Sequence, residues 1–245
     1  MPSDEPLERR ARKTSPAVFR ETSLSPDDPE LSALLRGWDW VARSLLFRGV
    51  GPSTRVRLND SRRIVGELLR VLGGQEGGEG TAPERLVRAA VQGGRVQAVA
   101  SVFLCPRATF VELLASAPWN LLGPGDPTDP RTVRGAGLAL LRDASALARA
   151  SGGHGRVALQ AENPRSLAYY ERLGFARIRP SDGPLGLVPR GGTGWSPPVL
   201  RLARGEPGPQ ERSSPWLVLD PERLAATAAI RVAGPPAASR RQAAV

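Results

Sequence analysis

Three stretches of the sequence set residue types at spacings that could do chemistry. ENPRSLAYYERLGFARI (162–178) places Asn-Pro ahead of a Tyr and a Leu-Gly-Phe. RTVRGAGLALL (131–141) places Gly135-Ala136-Gly137 between arginines and an apolar helical run. TFVELLA (109–115) carries one carboxylate, Glu112, inside an apolar segment.

The first stretch reads as a capped helix. Asn163 suits the N-cap, because its side-chain oxygen can accept from an orphan N–H of the first turn. Pro164 fits the first helical position, where a missing N–H costs nothing. Leu167, Tyr170 and Leu173 make one face. Gly174 suits a left-handed terminator. None of this requires catalysis, and a Tyr on an apolar face is ordinarily a core residue.

The second stretch offers an anion nest. Small residues turn the backbone with its N–H groups exposed, and the helix that follows adds the positive end of its dipole. Arg131 and Arg134 could pair with phosphates from the flanks. The dinucleotide-binding fingerprint is absent, since the third glycine is missing. In the third stretch, a carboxylate on a central strand is costly without a task or a partner. Glu112 therefore reads either as a base or amine anchor, or as half of an ion pair. Glu162 is a weaker candidate base. His154, the single histidine, reads as a loop residue, and Cys105 as an apolar strand-end residue without a His partner.

The elements that position these residues follow from periodicity. PAVFRETSL reads as a first strand. A helix follows SPDDPE, with Leu31, Leu34, Leu35, Trp38, Val41, Ala42, Leu45 and Leu46 on one face and Trp40 off it. DSRRIVGELLRVLGG reads as a second helix capped at Asp60 or Ser61. RLVRAAVQ, GGRVQAVASVFLC and ATFVELLASA read as three strands, with a Gly93-Gly94 hairpin. A long Pro- and Gly-rich loop leads to the helix LALLRDASALARASGG. Then come the strand RVALQA, the capped helix, the strand FARIRP and a last strand in PPVLRLARG. This is an α/β layered domain. Residues 1–13 read as disordered, 14–205 as the domain, and 206–245 as a Pro/Ala-rich tail in which SPWLVLDPERLAATAAIRV holds one short helix.

Composition bounds the partners. The 245-residue chain has a formal net charge of +10. Its basic residues are scattered and all arginine except Lys13, and no aromatic-basic stripe suits single-stranded nucleic acid. A nucleic-acid module is thus the lesser expectation. A single cysteine, no leader and no long apolar run point to the cytoplasm and away from a membrane. No cluster suggests a metal.

Taken together, the motifs resemble the GNAT N-acetyltransferase superfamily. Asn163, Ser166, Tyr170, Glu171, Leu173, Gly174 and Phe175 match one family motif. Gly135 and Gly137 match the other, with Thr132 where the family has Gln or Arg. The resemblance spans roughly residues 14–205. It implies a mixed central sheet flanked by helices and splayed between the fourth and fifth strands. It also implies acetyl-CoA as cofactor, with pantetheine along Leu114, Ala115 and Ser116. The pyrophosphate would lie on residues 132–138, which include Thr132, Gly135, Ala136, Gly137 and Leu138. Asn163 would hold the pantetheine or the local turn. Tyr170 would be the acid that protonates the departing thiolate. Trp119, in the long loop 117–134, would wall the acceptor pocket, unless that loop is a surface insertion. The acceptor would be an amine of a small molecule, a peptide or an aminoacyl-tRNA. A catalytically silent domain of the same fold, binding acyl-CoA or a partner protein, is the alternative.

Overall fold

The computed structural model describes residues 17–73, 85–105, 107–178, 215–219 and 221. In chain order the elements are β1 (Arg20–Leu24), α1 (Pro29–Phe47), α2 (Pro52–Leu72), β2 (Arg85–Gln92), β3 (Arg95–Cys105), β4 (Ala108–Ser116), a 3₁₀ turn (Pro118–Leu121), α3 (Ala136–Ala150), β5 (Val157–Gln160), α4 (Pro164–Arg172), β6 (Ala176–Arg177) and β7 (Trp216–Leu219). They form an α/β unit with one mixed sheet of order β1-β2-β3-β4-β5-β7-β6. Every pairing is antiparallel except β4 with β5.

Apolar patterning divides the helices between the two faces. Leu31, Leu35 and Trp38 of α1 and Val65 and Leu68 of α2 pack with Val87, Ala89, Val99 and Ala115 of the sheet. Leu138, Leu140, Leu141 and Ala144 of α3, with Leu173 and Phe175 after α4, pack on Ala98, Ala100, Val102 and Val111 of the other face. Each fully buried Leu contributes about 1.5–3 kcal/mol relative to exposure. Trp40 is 69% exposed, as its position off the α1 stripe predicts.

Two elements differ from the expectation. Helix α2 begins at Pro52 rather than at Asp60 or Ser61. Gly51 at its N-cap offers no side chain, so the local signal is weak; the capping acceptor comes from far along the chain. The Asp126 carboxylate accepts from Gly51 N at 2.8 Å and from Thr54 Oγ1.

The second difference is β7. Trp216–Leu219 lies beyond the expected boundary at 205, in a segment read as tail with one helix, yet it is a strand inserted between β5 and β6. Four consecutive apolar residues, all buried, fit a strand covered on both faces. The sheet therefore draws on residues past 205. The expected strand in 197–205 and the N-terminal segment 1–13 lie outside the described residues.

Candidate active site

The site is built where β4 and β5 part. Their parallel register covers only Thr109↔Val157, Phe110↔Ala158 and Val111↔Leu159. Beyond Val111, β4 runs on to Ser116 with no β5 partner, so the sheet opens into a notch at the C-terminal ends of the two strands. A bulge marks the start of the opening. Val111 faces Val102 and Leu113 faces Ser101, which leaves Glu112 as the extra residue. The expected alternation of Phe110, Glu112 and Leu114 on one face is broken there. Leu113 packs against the α1/α2 cluster and Phe110 in a separate one with Phe103 and Trp216, whereas Leu114 joins the α3 cluster.

Glu112 itself is committed to neighbours. One carboxylate oxygen accepts from Arg85 Nη2 at 3.1 Å and the other from Ser101 Oγ at 2.8 Å, and the side chain is 12% exposed. Of the two expectations for this residue, the ion pair is the one present. Glu162, the weaker candidate, pairs with Arg63 of α2 across the mouth of the notch.

The start of α3 has the left-handed glycine that the expected nest calls for. Gly135 stands at the N-cap with φ 100°, a left-handed conformation that a side chain would strain. Gly137 brings the first turn of α3 onto the unpaired end of β4: a Cβ there would lie 3.4 Å from Leu114 Cδ2 and 3.9 Å from Ser116 Oγ. The amides of Thr132 and Val133 are already used, by Asp129 O and Asn120 Oδ1. The rest of the expected 132–138 cradle includes the first turn, Ala136, Gly137 and Leu138, where helix N–H groups lack intrahelical acceptors.

The flanking arginines serve the loop. The Arg131 guanidinium forms two hydrogen bonds to Asp129, at 2.9 and 2.6 Å, and lies 4.3 Å over the Trp119 ring. Arg134 donates to the carbonyls of Asn120 and Leu122. Thr132 Oγ1 donates to Trp119 O at 2.8 Å. Trp119 is 7% exposed and packs edge-on to Trp38. Its indole N–H donates to Gln97 Oε1 at 2.9 Å. It is an anchor of the loop within the core, not an open pocket wall. Gln97 also accepts from Asn120 Nδ2 through both its backbone and side-chain oxygens. The long loop is thus pinned to β3 by a buried polar pair and to α2 by Asp126.

Helix α4 carries the last group. Asn163 Oδ1 accepts from Arg165 N and Ser166 N, and Ser166 Oγ accepts in return from Asn163 N. Asn163 therefore holds the local turn, as a capping box. Tyr170 packs against Tyr169 and Phe175, each at 5.4 Å between ring centroids, beside the cluster that includes Leu114 and Leu138. Burial pushes its hydroxyl well above the usual phenol range, and the charges of Tyr169 and Glu162 add to the rise. The phenol is therefore a proton carrier throughout the neutral range. No hydrogen bond engages its hydroxyl among the described residues.

No family model matches this sequence, and no curated protein does. Among solved structures the chain is similar to the Bacillus subtilis acetyltransferase in complex with CoA (17% identity, 83% of this chain, 99% of that one, TM-score 0.39). It is similar to the PaiA N-acetyltransferase of Thermoplasma acidophilum in complex with coenzyme A (11% identity, 83% and 99%, TM-score 0.41). It is also similar to the tandem GNAT protein of the clavulanic acid biosynthesis pathway (19% identity, 66% and 45%, TM-score 0.42). Its structural neighbours are GNAT-family acetyltransferases.

Beside the residues singled out from the sequence, the surroundings of the notch include others that were missed. Gln97 is a lone amide in an apolar strand, a pattern that does signal a buried partner. The contact of Arg165 with Ser53 carries no comparable signal, since α2 and α4 meet only in three dimensions. His154 is exposed, in a turn with φ 54°, and Cys105 is buried, its thiol pushed up to about 11 by burial alone. Cys105 pairs with Ala108 at the start of β4, and His154 lies in the turn ahead of β5, both at the ends of those strands away from the notch. Among the described residues no group of three or more His, Cys, Asp or Glu could hold a metal, and no helix is long and apolar enough to cross a membrane.

Proposed function

We propose that the chain is an N-acetyltransferase that uses acetyl-CoA and acts on a primary amine in the cytoplasm. The observation that carries this reading is the notch: β4 extends past its last β5 partner, with the α3 first turn against its unpaired end. An extended chain with amide and carbonyl groups can pair with an open strand edge. A phosphate fits the first-turn amides.

Acetyl-CoA supplies the thioester. The residues of this chain bind and orient it and handle the protons. Backbone from Leu114 to Ser116 aligns the pantetheine arm, and Ala136, Gly137 and Leu138 take the pyrophosphate. As the amine nitrogen bonds to the acyl carbon, an unpaired β4 amide near Leu114 stabilises the oxyanion. Tyr170, protonated throughout the neutral range, would give its proton to the thiolate sulfur as that sulfur leaves the acyl carbon. The ammonium proton of the new amide passes to solvent water, and the phenolate is reprotonated from it. Glu112 keeps the bulge in place through Arg85 and Ser101. Calorimetric titration of the full chain with acetyl-CoA tests this proposal. Saturable one-to-one binding in the micromolar range supports it. Absence of binding by a folded protein overturns it.

A further inference from the structure

A run of contacts at the mouth of the notch draws three arginines together from three different elements. Arg165, at the head of α4, donates to Ser53 O at 3.2 Å and to Ser53 Oγ at 3.0 Å. The next residue, Thr54, accepts from Arg57 Nη2. Arg57 in turn abuts the long loop so closely that a Cβ on Gly123 would lie 2.8 Å from its Nη2. The residue before that glycine, Leu122, accepts from Arg134. Two pairs of adjacent residues, 53–54 and 122–123, thus tie the guanidinium groups of α4, α2 and the loop into one cluster.

The cluster is short of negative charge. The carboxylate acting on Arg57 is Asp126, whose oxygens already accept from Gly51 N, Thr54 Oγ1 and Gly123 N. The groups that Arg134 and Arg165 reach are carbonyls and a hydroxyl, which carry no charge. Arg57 Nε is buried and has no hydrogen-bond partner among the described residues. A buried guanidinium nitrogen left unpaired costs free energy, and three like charges add to that cost. Arg57 is accordingly pushed below its usual range, first by burial and then by the charges of Arg165 and Arg134. Such a site is relieved by an anion, and the planar forks of arginine suit phosphate or carboxylate oxygens.

We propose that Arg57, Arg134 and Arg165 form a binding site for a phosphate- or carboxylate-type anion at the mouth of the notch. The anion belongs either to the cofactor or to the acceptor, and assigning it between them rests on the acetyltransferase reading. The site itself does not.

The test is titration of the full chain with inorganic pyrophosphate at low salt. It compares the native protein with Arg57→Gln, Arg165→Gln and, as a remote control, Arg36→Gln on the exposed side of α1. Losing one charge-assisted contact should weaken binding about tenfold or more in the first two variants. The control should bind as the native chain does. Arg165 is exposed, so its variant keeps the test valid if Arg57→Gln proves unstable. No pyrophosphate binding, or native affinity in the folded variants, overturns the site. Two further arms assign the source. A tenfold loss for CoA that vanishes with pantetheine places a cofactor phosphate there. Native CoA affinity together with a raised KM only for carboxylate- or phosphate-bearing amines places the acceptor there. Failure of acetyl transfer with pyrophosphate binding intact would discard the enzyme reading and retain the anion site.

Discussion

Arg131 lies over one face of Trp119, 4.3 Å from the ring centroid, while the indole N–H of that same ring donates to Gln97 at 2.9 Å. One side chain thereby joins the loop's outer arginine to a buried amide of β3. Removing the ring should cost about 3–5 kcal/mol, because the cavity it leaves lies against Trp38 in a packed core. We expect Trp119→Ala to lower the denaturation midpoint. It should also weaken acetyl-CoA binding, since Asn120 beside it positions Val133 and Arg134 just ahead of α3. Chemical denaturation and calorimetry of one preparation check both effects; unchanged stability would mean that the loop is not anchored through this ring.

Tyr170→Phe should keep the fold and the affinity for acetyl-CoA. Turnover should fall about 10²–10⁴-fold, the usual contribution of a positioned proton donor. Steady-state kinetics beside a binding titration separates the two quantities. The raised phenol also predicts a linkage. The folded state holds this proton more tightly than the unfolded one, so the contribution is intact below the ordinary value of 10.0 and declines as pH rises above it. Thermal melts of the native protein and the variant from neutral to alkaline pH would show the gap.

Glu112→Gln separates a base from a brace. With both oxygens bonded to Arg85 and Ser101, the substitution should cost about 1.5–3 kcal/mol of stability, the range for a hydrogen bond to a charged group. The pH profile of kcat should keep its shape. Loss of its acidic limb would assign Glu112 as the amine's proton acceptor.

Asp126 makes the attachment of the loop to α2 acid-sensitive. Hydrogen bonds from Thr54, Gly51 and Gly123, in that order, hold its carboxyl below the usual carboxylate range. A depressed value contributes stability above the unfolded value of 3.8 and loses it as pH falls through the folded one. Asp126→Asn should melt a few degrees lower at neutral pH. That difference should close as the buffer is taken below about pH 4. A constant difference across the whole range would assign the effect to packing instead of charge.

How much of this was legible in the sequence depends on how local each signal is. Asn163, Pro164 and Gly174 state the ends of α4 in a single turn of chain each, and α4 runs from Pro164 to Arg172 as they imply. The Gly93-Gly94 hairpin and the three strands around it are equally local. The start of α2 was not legible, because its capping carboxylate is 75 residues away. The bulge at Glu112 leaves no mark on an apolar run, since an extra residue shows only against its partner strand. The strand Trp216–Leu219 was hidden by its Pro- and Ala-rich surroundings, although four apolar residues in a row were there to be read. The parting of β4 and β5 was expected only through the family resemblance; no residue of either strand announces it.

The placement of β7 bears on the order in which the protein can be made. During synthesis, β1 to β4 can assemble as soon as they emerge, because each pairs with its neighbour in sequence. Strand β5 then has only three residues in register with β4 to hold it. Its other edge stays open until residues 216–219 leave the ribosome, and β6 pairs with β7 alone. The nascent chain must therefore carry a half-formed sheet with an exposed edge for nearly sixty residues of translation, counted from Gln160 to Trp216. An exposed edge of that kind invites pairing with other chains. Ribosome stalling or premature termination shortly before residue 216 should therefore yield aggregates in place of a smaller folded protein.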